Sequence, residues 1–228
     1  ARLELSPMAK YKFIDLFAGI GGFHLALHNL GAECVFASEW DEKARKTYEM
    51  NFKLVSPKLF SSGNFAGDIT EVNKKSIPDF DILTAGFPCQ PFSKSGKQMG
   101  MEETRGTLFW NIAKIIEARK PSIVLLENVQ NIAGPRHIHE WNVIIHTLRE
   151  LGYRVSDDPL IVSPHQIHPN FGGRPQVRER VFIAATLIPK GIPNFKSNVE
   201  LPNLSPVMDG WEPMSWNLEK HLPLEKLK

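Results

Sequence analysis

Short apolar runs alternate with segments of helical periodicity along most of the chain, and that alternation predicts an α/β fold with a mostly parallel sheet and crossover helices. Strands are predicted over 12–17, 33–38, 81–85, 122–126, 154–162 and 181–186. Helices are predicted over 22–30, ended by Gly31; 41–50, opened by Asp41; 107–119, stopped by Pro121; and 141–151, ended by Gly152. No internal repeat or low-complexity tract interrupts the pattern. Beyond Pro189 the periodicity fades, and Pro193, Pro202, Pro206, Pro213 and Pro223 recur among Trp211 and Trp216.

With 228 residues, 42% of them hydrophobic, the chain can bury a full core and reads as one domain with an appendage. No apolar run approaches the roughly 18 residues of a membrane span, and no signal-peptide phases open the chain, so a cytoplasmic location is expected. Met8 is a candidate native start, and residues 1–11 are set aside as an N-terminal segment. A net charge of +2 is too small to argue for a nucleic-acid partner. The two cysteines, Cys34 and Cys89, fall in a strand-like and a loop-like segment, which predicts reduced thiols.

The informative thiol is Cys89, in the run GFPCQPFS at 86–93. Pro88 and Pro91 exclude helix and central strand around it, so a rigid extended turn exposes the thiol after a strand, at the start of a long Pro-, Gly-, Ser- and Lys-rich loop. That context favours a nucleophile over a buried structural cysteine. The first strand runs into Phe17, Ala18, Gly19, Ile20, Gly21 and Gly22, a turn that lets a ligand approach the backbone or simply packs helix on strand. Glu39 and Trp40 follow the second strand, where a carboxylate can hold ribose hydroxyls and an indole can face a purine; helix capping beside Asp41 is the alternative for Glu39. Asp68 and Ile69 follow a third element at the same rim. Together these point to a nucleoside-type ligand. His24 stands where a dinucleotide fingerprint needs glycine, which disfavours a nicotinamide cofactor.

Glu127 follows the 122–126 strand and suits a proton donor if burial raises its pKa, or else a structural ion pair. In QVRER at 176–180, alternation sets Arg178 and Arg180 on one face, ready for phosphate or a polarised carbonyl, or as a solvated strand end. Scattered histidines lack a supporting ligand pattern, and no metal is assigned.

In combination these motifs resemble the DNA (cytosine-5) methyltransferases, notably the bacterial restriction-modification enzymes, over about residues 12–186. DLFAGIGGF at 15–23, Glu39-Trp40 and Gly67-Asp68-Ile69 match the cofactor motifs; GFPCQPFS, ENV at 127–129 and QVRER match the catalytic ones; and 93–110 is similar to the mobile catalytic loop. The resemblance implies a Rossmann-like S-adenosylmethionine-dependent methyltransferase fold with helices on both sheet faces, its catalytic and cofactor-binding domain over 12–188. It places Phe17, Glu39, Trp40, Asp68, Ile69, Pro88 and Leu108 at cofactor contacts beside the glycine turn.

It further implies that Cys89 adds to C6 of a flipped-out cytosine in double-stranded DNA. Glu127 then acts at N3, Arg180 at O2, and Arg178 orders the thiol and a phosphate. The thiolate needs nearby positive charge and loop N–H groups. Gln90, Ser93, Ser95, Lys97, Arg105 and Gln176 fall on the DNA side, where the loop charges can equally be solvated. The recognition region and closing cofactor motif of such enzymes have no counterpart here, and the 189–228 tail reads as the start of a recognition region. A second polypeptide or a further C-terminal region is therefore expected to complete the enzyme. An RNA-directed relative and a non-catalytic partner subunit are the alternatives.

Overall fold

A computed structural model of the protein describes residues 11–89 and 101–189. Strands β1 (Lys12–Leu16), β2 (Glu33–Ser38), β3 (Phe65–Ala66), β4 (Ile82–Gly86) and β5 (Ile123–Val129) pair in parallel. Strands β6 (Tyr153–Val155) and β7 (Leu160–Val162) both lie antiparallel along one edge of β8 (Arg180–Leu187), whose other edge pairs antiparallel with β5. The sheet order is β3-β2-β1-β4-β5-β8-β6. Strand order reverses between β1 and β4, and in an open α/β sheet the crevice beyond the carboxyl ends at such a reversal is where ligands bind.

Both faces of the sheet are covered, so the central strands are apolar on both sides rather than alternating. In β1, Phe13 joins one core with Cys34, Tyr48 and Phe52, while Ile14 and Leu16 join the other with Phe109, Ile112, Ile116 and Ile144. Helices α1 (Gly22–Asn29), α2 (Glu42–Phe52) and α3 (Pro57–Ser61) precede β3, and α4 (Leu108–Arg119) and α5 (Ile138–Glu150) flank β5. The Asp41 carboxylate caps α2 by accepting from the Ala44 N–H at 2.8 Å. The Thr107 hydroxyl caps α4 by accepting from Trp110 N–H at 3.3 Å.

The structure corrects two predicted elements. The single strand expected over 154–162 is two, because Ser156 turns the chain by accepting the Asp158 N–H at 3.1 Å and Pro159 follows. β6 and β7 then pair with separate stretches of β8, giving a short, broken edge that resists pairing with another chain. The strand expected to stop at 126 continues to Val129, because antiparallel pairing holds Glu127 opposite Phe182 and Asn128 opposite Val181. Glu127 therefore sits within a strand rather than beyond its end. The first ten residues and the tail from 190 lie outside the described residues.

Candidate active site

The segment that carries Cys89 leaves β4 anchored. Phe87 is buried against Phe109, their ring centroids 5.5 Å apart, and the Asn128 side chain donates to the Phe87 carbonyl at 2.9 Å. From that anchor the chain rises through exposed Pro88 to half-buried Cys89. Gly86 pairs with Glu127, and a Cβ at Gly86 would come within 3.3 Å of Glu127 Oε2. The absence of a side chain there is what lets the carboxyl lie against the β4 exit.

Arg180 Nε stands 2.9 Å from Glu127 Oε1. Burial raises the Glu127 pKa above the ordinary carboxyl value, and the positive charges of Arg180 and Arg178 offset part of that rise. Arg178 is fixed through its backbone, donating its N–H to buried Ser163 Oγ at 2.8 Å. Both arginines of the QVRER run thus act on one carboxyl, and Gln176 is exposed just upstream.

The expectation that Cys89 is surrounded by groups favouring its anion is not met among the described residues. Burial and the negative charge of Glu140 both push its pKa up. At a given pH it is expected to alkylate more slowly than a free cysteine, whose pKa is about 8.5. Its rate should climb only at higher pH, and Glu140→Gln should bring the midpoint down. Mass spectrometry of iodoacetamide time courses checks this; an unchanged midpoint in the variant removes Glu140 from the thiol's surroundings. Cys34 should stay unlabelled in the folded protein, because it is buried and raised well beyond the ordinary thiol range.

Across the reversal lies the glycine turn. Gly21, at φ +95°, has no room for a side chain, since a Cβ would lie 2.0 Å from the Phe52 ring. Gly19, at φ +55°, and Gly22 face nothing within 4 Å. Gly21 thus packs the turn on α2, while Gly19 and Gly22 leave its rim open. Phe17 is held at φ 54°, a conformation costly for a non-glycine residue and concentrated at functional sites.

Glu39 Oε2 accepts the Gly19 N–H at 2.8 Å and its Oε1 accepts the Asp41 N–H at 2.9 Å, so this carboxylate is fixed on both oxygens. Trp40 beside it is 77% exposed, and Ile20 is also exposed. Asp68 is exposed, one oxygen accepting the Thr70 N–H at 2.8 Å. Ile69 instead sends its side chain into the core, at 4% exposure, while Ala18 is buried and Leu108 is half-buried at the start of α4. Arg105 is held by Glu102 at 2.9 Å and lies over the Trp110 ring. Gln90, Ser93, Ser95 and Lys97 lie outside the described residues.

The profile of the C-5 cytosine-specific DNA methylases matches residues 11–217. The chain belongs to that family. Its curated relatives include the Type II methyltransferase M.AluI of Cellulosimicrobium cellulans, 56% identical over 189 residues that cover 80% of this chain and 34% of the relative. M.HhaI of Haemophilus parahaemolyticus is 46% identical over 185 residues, covering 81% and 52% respectively. This chain thus spans between about a third and a half of their length. Among solved structures, a DNMT2 mutant of Spodoptera frugiperda shares the fold at TM-score 0.62 and 24% identity, covering 87% of this chain and 57% of that one. The cofactor of this methylase fold is S-adenosylmethionine. Among the described residues no helix is long and apolar enough to cross a membrane.

Sequence reasoning missed three residues whose contacts the structure brings out around this candidate site. Asn128 was read only as part of a motif, yet it grips the nucleophile loop. Glu140 acts on Cys89 from 51 positions away, where only the fold reveals it. Asp15 is a carboxyl fully buried in β1, and an acid in the middle of FIDLF was its available signal. The Thr84 hydroxyl has one proton but faces two acceptors, Ile14 O at 3.0 Å and Asp15 Oδ1 at 2.9 Å, a conflict that protonating Asp15 relieves.

Burial pushes the Asp15 pKa from 3.8 to about 7, against the Thr84 and His24 hydrogen-bond donors that pull it down. Between those values the folded protein holds a proton that the unfolded chain has lost. Stability should therefore fall as pH rises across that interval, by up to about 1.4 kcal/mol per pH unit, with no further loss from this group above about 7. Asp15→Asn is expected to flatten that slope in urea titrations, and parallel slopes for the two proteins would mean that Asp15 is ionised in the fold.

Proposed function

We propose that this chain carries the catalytic part of an enzyme that methylates cytosine C5 in double-stranded DNA, with Cys89 as covalent nucleophile. The observation that carries the reading is the convergence, at one reversal of the sheet, of the anchored Cys89 loop, the Glu127–Arg180 pair and the open glycine rim flanked by Glu39 and Asp68. The curated relatives' names as Type II methyltransferases favour DNA over RNA.

The rim fits S-adenosylmethionine. Gly19 and Gly22 leave space for a ligand, Glu39 is preset by two backbone N–H groups, Trp40 offers an uncovered face, and Asp68 has an oxygen ready for an amino group. When bound, the cofactor supplies an electrophilic methyl group for C5. The residues of the chain must make C5 nucleophilic enough to take it.

The Cys89 thiol loses its proton and its sulfur bonds to C6, and the C5=C6 electrons become available at C5. Glu127 donates a proton to N3, a role suited to a carboxyl whose pKa is raised, while Arg180 orients that carboxyl and hydrogen-bonds O2. After methylation the C5 proton leaves to water, the Sγ–C6 bond breaks with its electrons returning to sulfur, and C5=C6 reforms; N3 gives its proton back. Inside a duplex C6 is shielded, so the base must first be flipped out, at a cost of a few kcal/mol.

The sheet-bearing part is expected to depend on the additional length that its relatives have, in the same chain or a second one, to read DNA and close the cofactor site. With that region supplied, labelled methyl from S-adenosylmethionine should appear as 5-methylcytosine in digested duplex DNA. Label confined to RNA, or found on adenine or on cytosine N4, would overturn the reading.

A further inference from the structure

We propose that Arg45 is a positioning residue that locks Glu39 and Asp68 into one rim; this rests on the reading that those carboxylates hold the cofactor. Arg45 lies in the first turn of α2, and its guanidinium binds backbone rather than acid. Nη1 donates to the Glu39 carbonyl at 2.8 Å and also to the Ala66 carbonyl, and Nη2 donates to the Phe65 carbonyl at 3.2 Å. The guanidinium carbon stands 4.4 Å from the centroid of the Phe65 ring.

Two of these contacts fall at or close to a rim residue. Glu39 is gripped by its own carbonyl, and Ala66 lies two residues before Asp68. The strand they fasten needs fastening, because β3 has two residues and pairs with β2 only through Ala37 with Phe65 and Ser38 with Ala66. A two-residue edge strand does not by itself fix the turn that follows. The Ala66 carbonyl also accepts the Glu39 N–H at 3.2 Å, so one oxygen ties the two rim segments to each other and to Arg45. Gly67, between Ala66 and Asp68, comes so near that a Cβ there would be 3.9 Å from Nη1.

Three carbonyls held by one guanidinium suit the rigid donor fork of arginine and not the single rotating ammonium of lysine. A plain staple for a weak edge would make the same contacts. The difference lies in coupling: a staple affects stability alone, whereas a positioning residue loses part of its effect once the groups it positions are gone.

The full chain is compared as Arg45→Met, which keeps the stem on Phe65 and removes the donors, and as Arg45→Lys. Amides of residues 39–41 and 66–70 should exchange with deuterium at least about tenfold faster in both variants, with those of β1 and β4 unchanged. The dissociation constant for S-adenosylmethionine, by calorimetry, should rise about tenfold in Arg45→Met, the scale of a lost hydrogen bond, and lysine should not restore it. In a Glu39→Ala background the same change should cost only about threefold, because Asp68 alone remains to be positioned. Unchanged exchange at the rim overturns the proposal, and so does an equal loss in both backgrounds. If the rim loosens as expected but the unsubstituted chain does not bind S-adenosylmethionine even when the remainder of a relative is supplied, the cofactor reading is what fails, and the purpose assigned to Arg45 falls with it.

Discussion

A DNA duplex carrying 5-fluorocytosine at the target position is expected to become covalently attached to Cys89 once the remaining region of the enzyme is supplied, and Cys89→Ala is expected to abolish both attachment and turnover. Fluorine explains the trap. In the ordinary reaction the C5 proton leaves and the Sγ–C6 bond breaks; fluorine cannot leave as a cation, so the methylated base stays bonded to sulfur. Loss of the nucleophile should lower turnover by at least about 10³-fold, since no other described residue stands at the β4 exit with a group able to add to C6. Glu127→Gln should slow attachment without moving its site, because the amide cannot donate the acid proton to N3. Peptide mapping that found the adduct on Cys34, or found none while product still formed on normal DNA, would defeat the assignment. Cys34 is a sharp control, being buried on β2 in the core shared with Phe13 and α2, with its Sγ 3.8 Å from the Tyr48 hydroxyl.

What the sequence disclosed and what it hid divide along physical lines. Strand β2 is legible at 33–38, because a largely buried strand carries an apolar run, here Cys34–Ala37 between Glu33 and Ser38. The glycine turn was legible as a turn, but which of its glycines packs was not: only the Phe52 ring, 2.0 Å from where a Gly21 Cβ would stand, marks Gly21 as the packing residue. Cys89 and Glu127 were visible as chemistry, while their electrostatics were not, since Glu140 and Arg180 reach them from distant stretches of chain. Arg45 sits in EKARK, where a charged residue on a helix looks like any solvated one. Its role shows only when β3 is laid beside β2. Periodicity reports which face of an element is buried, and it is silent on which polar group is aimed at which backbone.

Residues 1–228 alone are expected to melt cooperatively yet bind S-adenosylmethionine weakly and methylate DNA hardly at all. The described sheet has its two hydrophobic cores in place, which predicts a stable fold. The cofactor rim, however, leaves Ile20 at 62% and Trp40 at 77% exposed, so a ligand there would stay open to water, which weakens each polar contact that holds it. The matched region is about a third of M.AluI and half of M.HhaI, so these relatives carry much further chain. Adding the remainder of M.AluI as a separate polypeptide, or extending this chain with it, should raise turnover by more than about 10²-fold. If Cys89, Glu127 and Arg180 are the catalytic residues proposed above, only positioning is lacking, a deficit that reaches that size when reacting groups are misplaced by about an ångström. The gain should vanish when Cys89→Ala is used, which separates completion of this site from activity brought in by the added piece. Robust, sequence-specific methylation by residues 1–228 alone would sink the dependence on further chain, and would assign DNA recognition to residues within the 228.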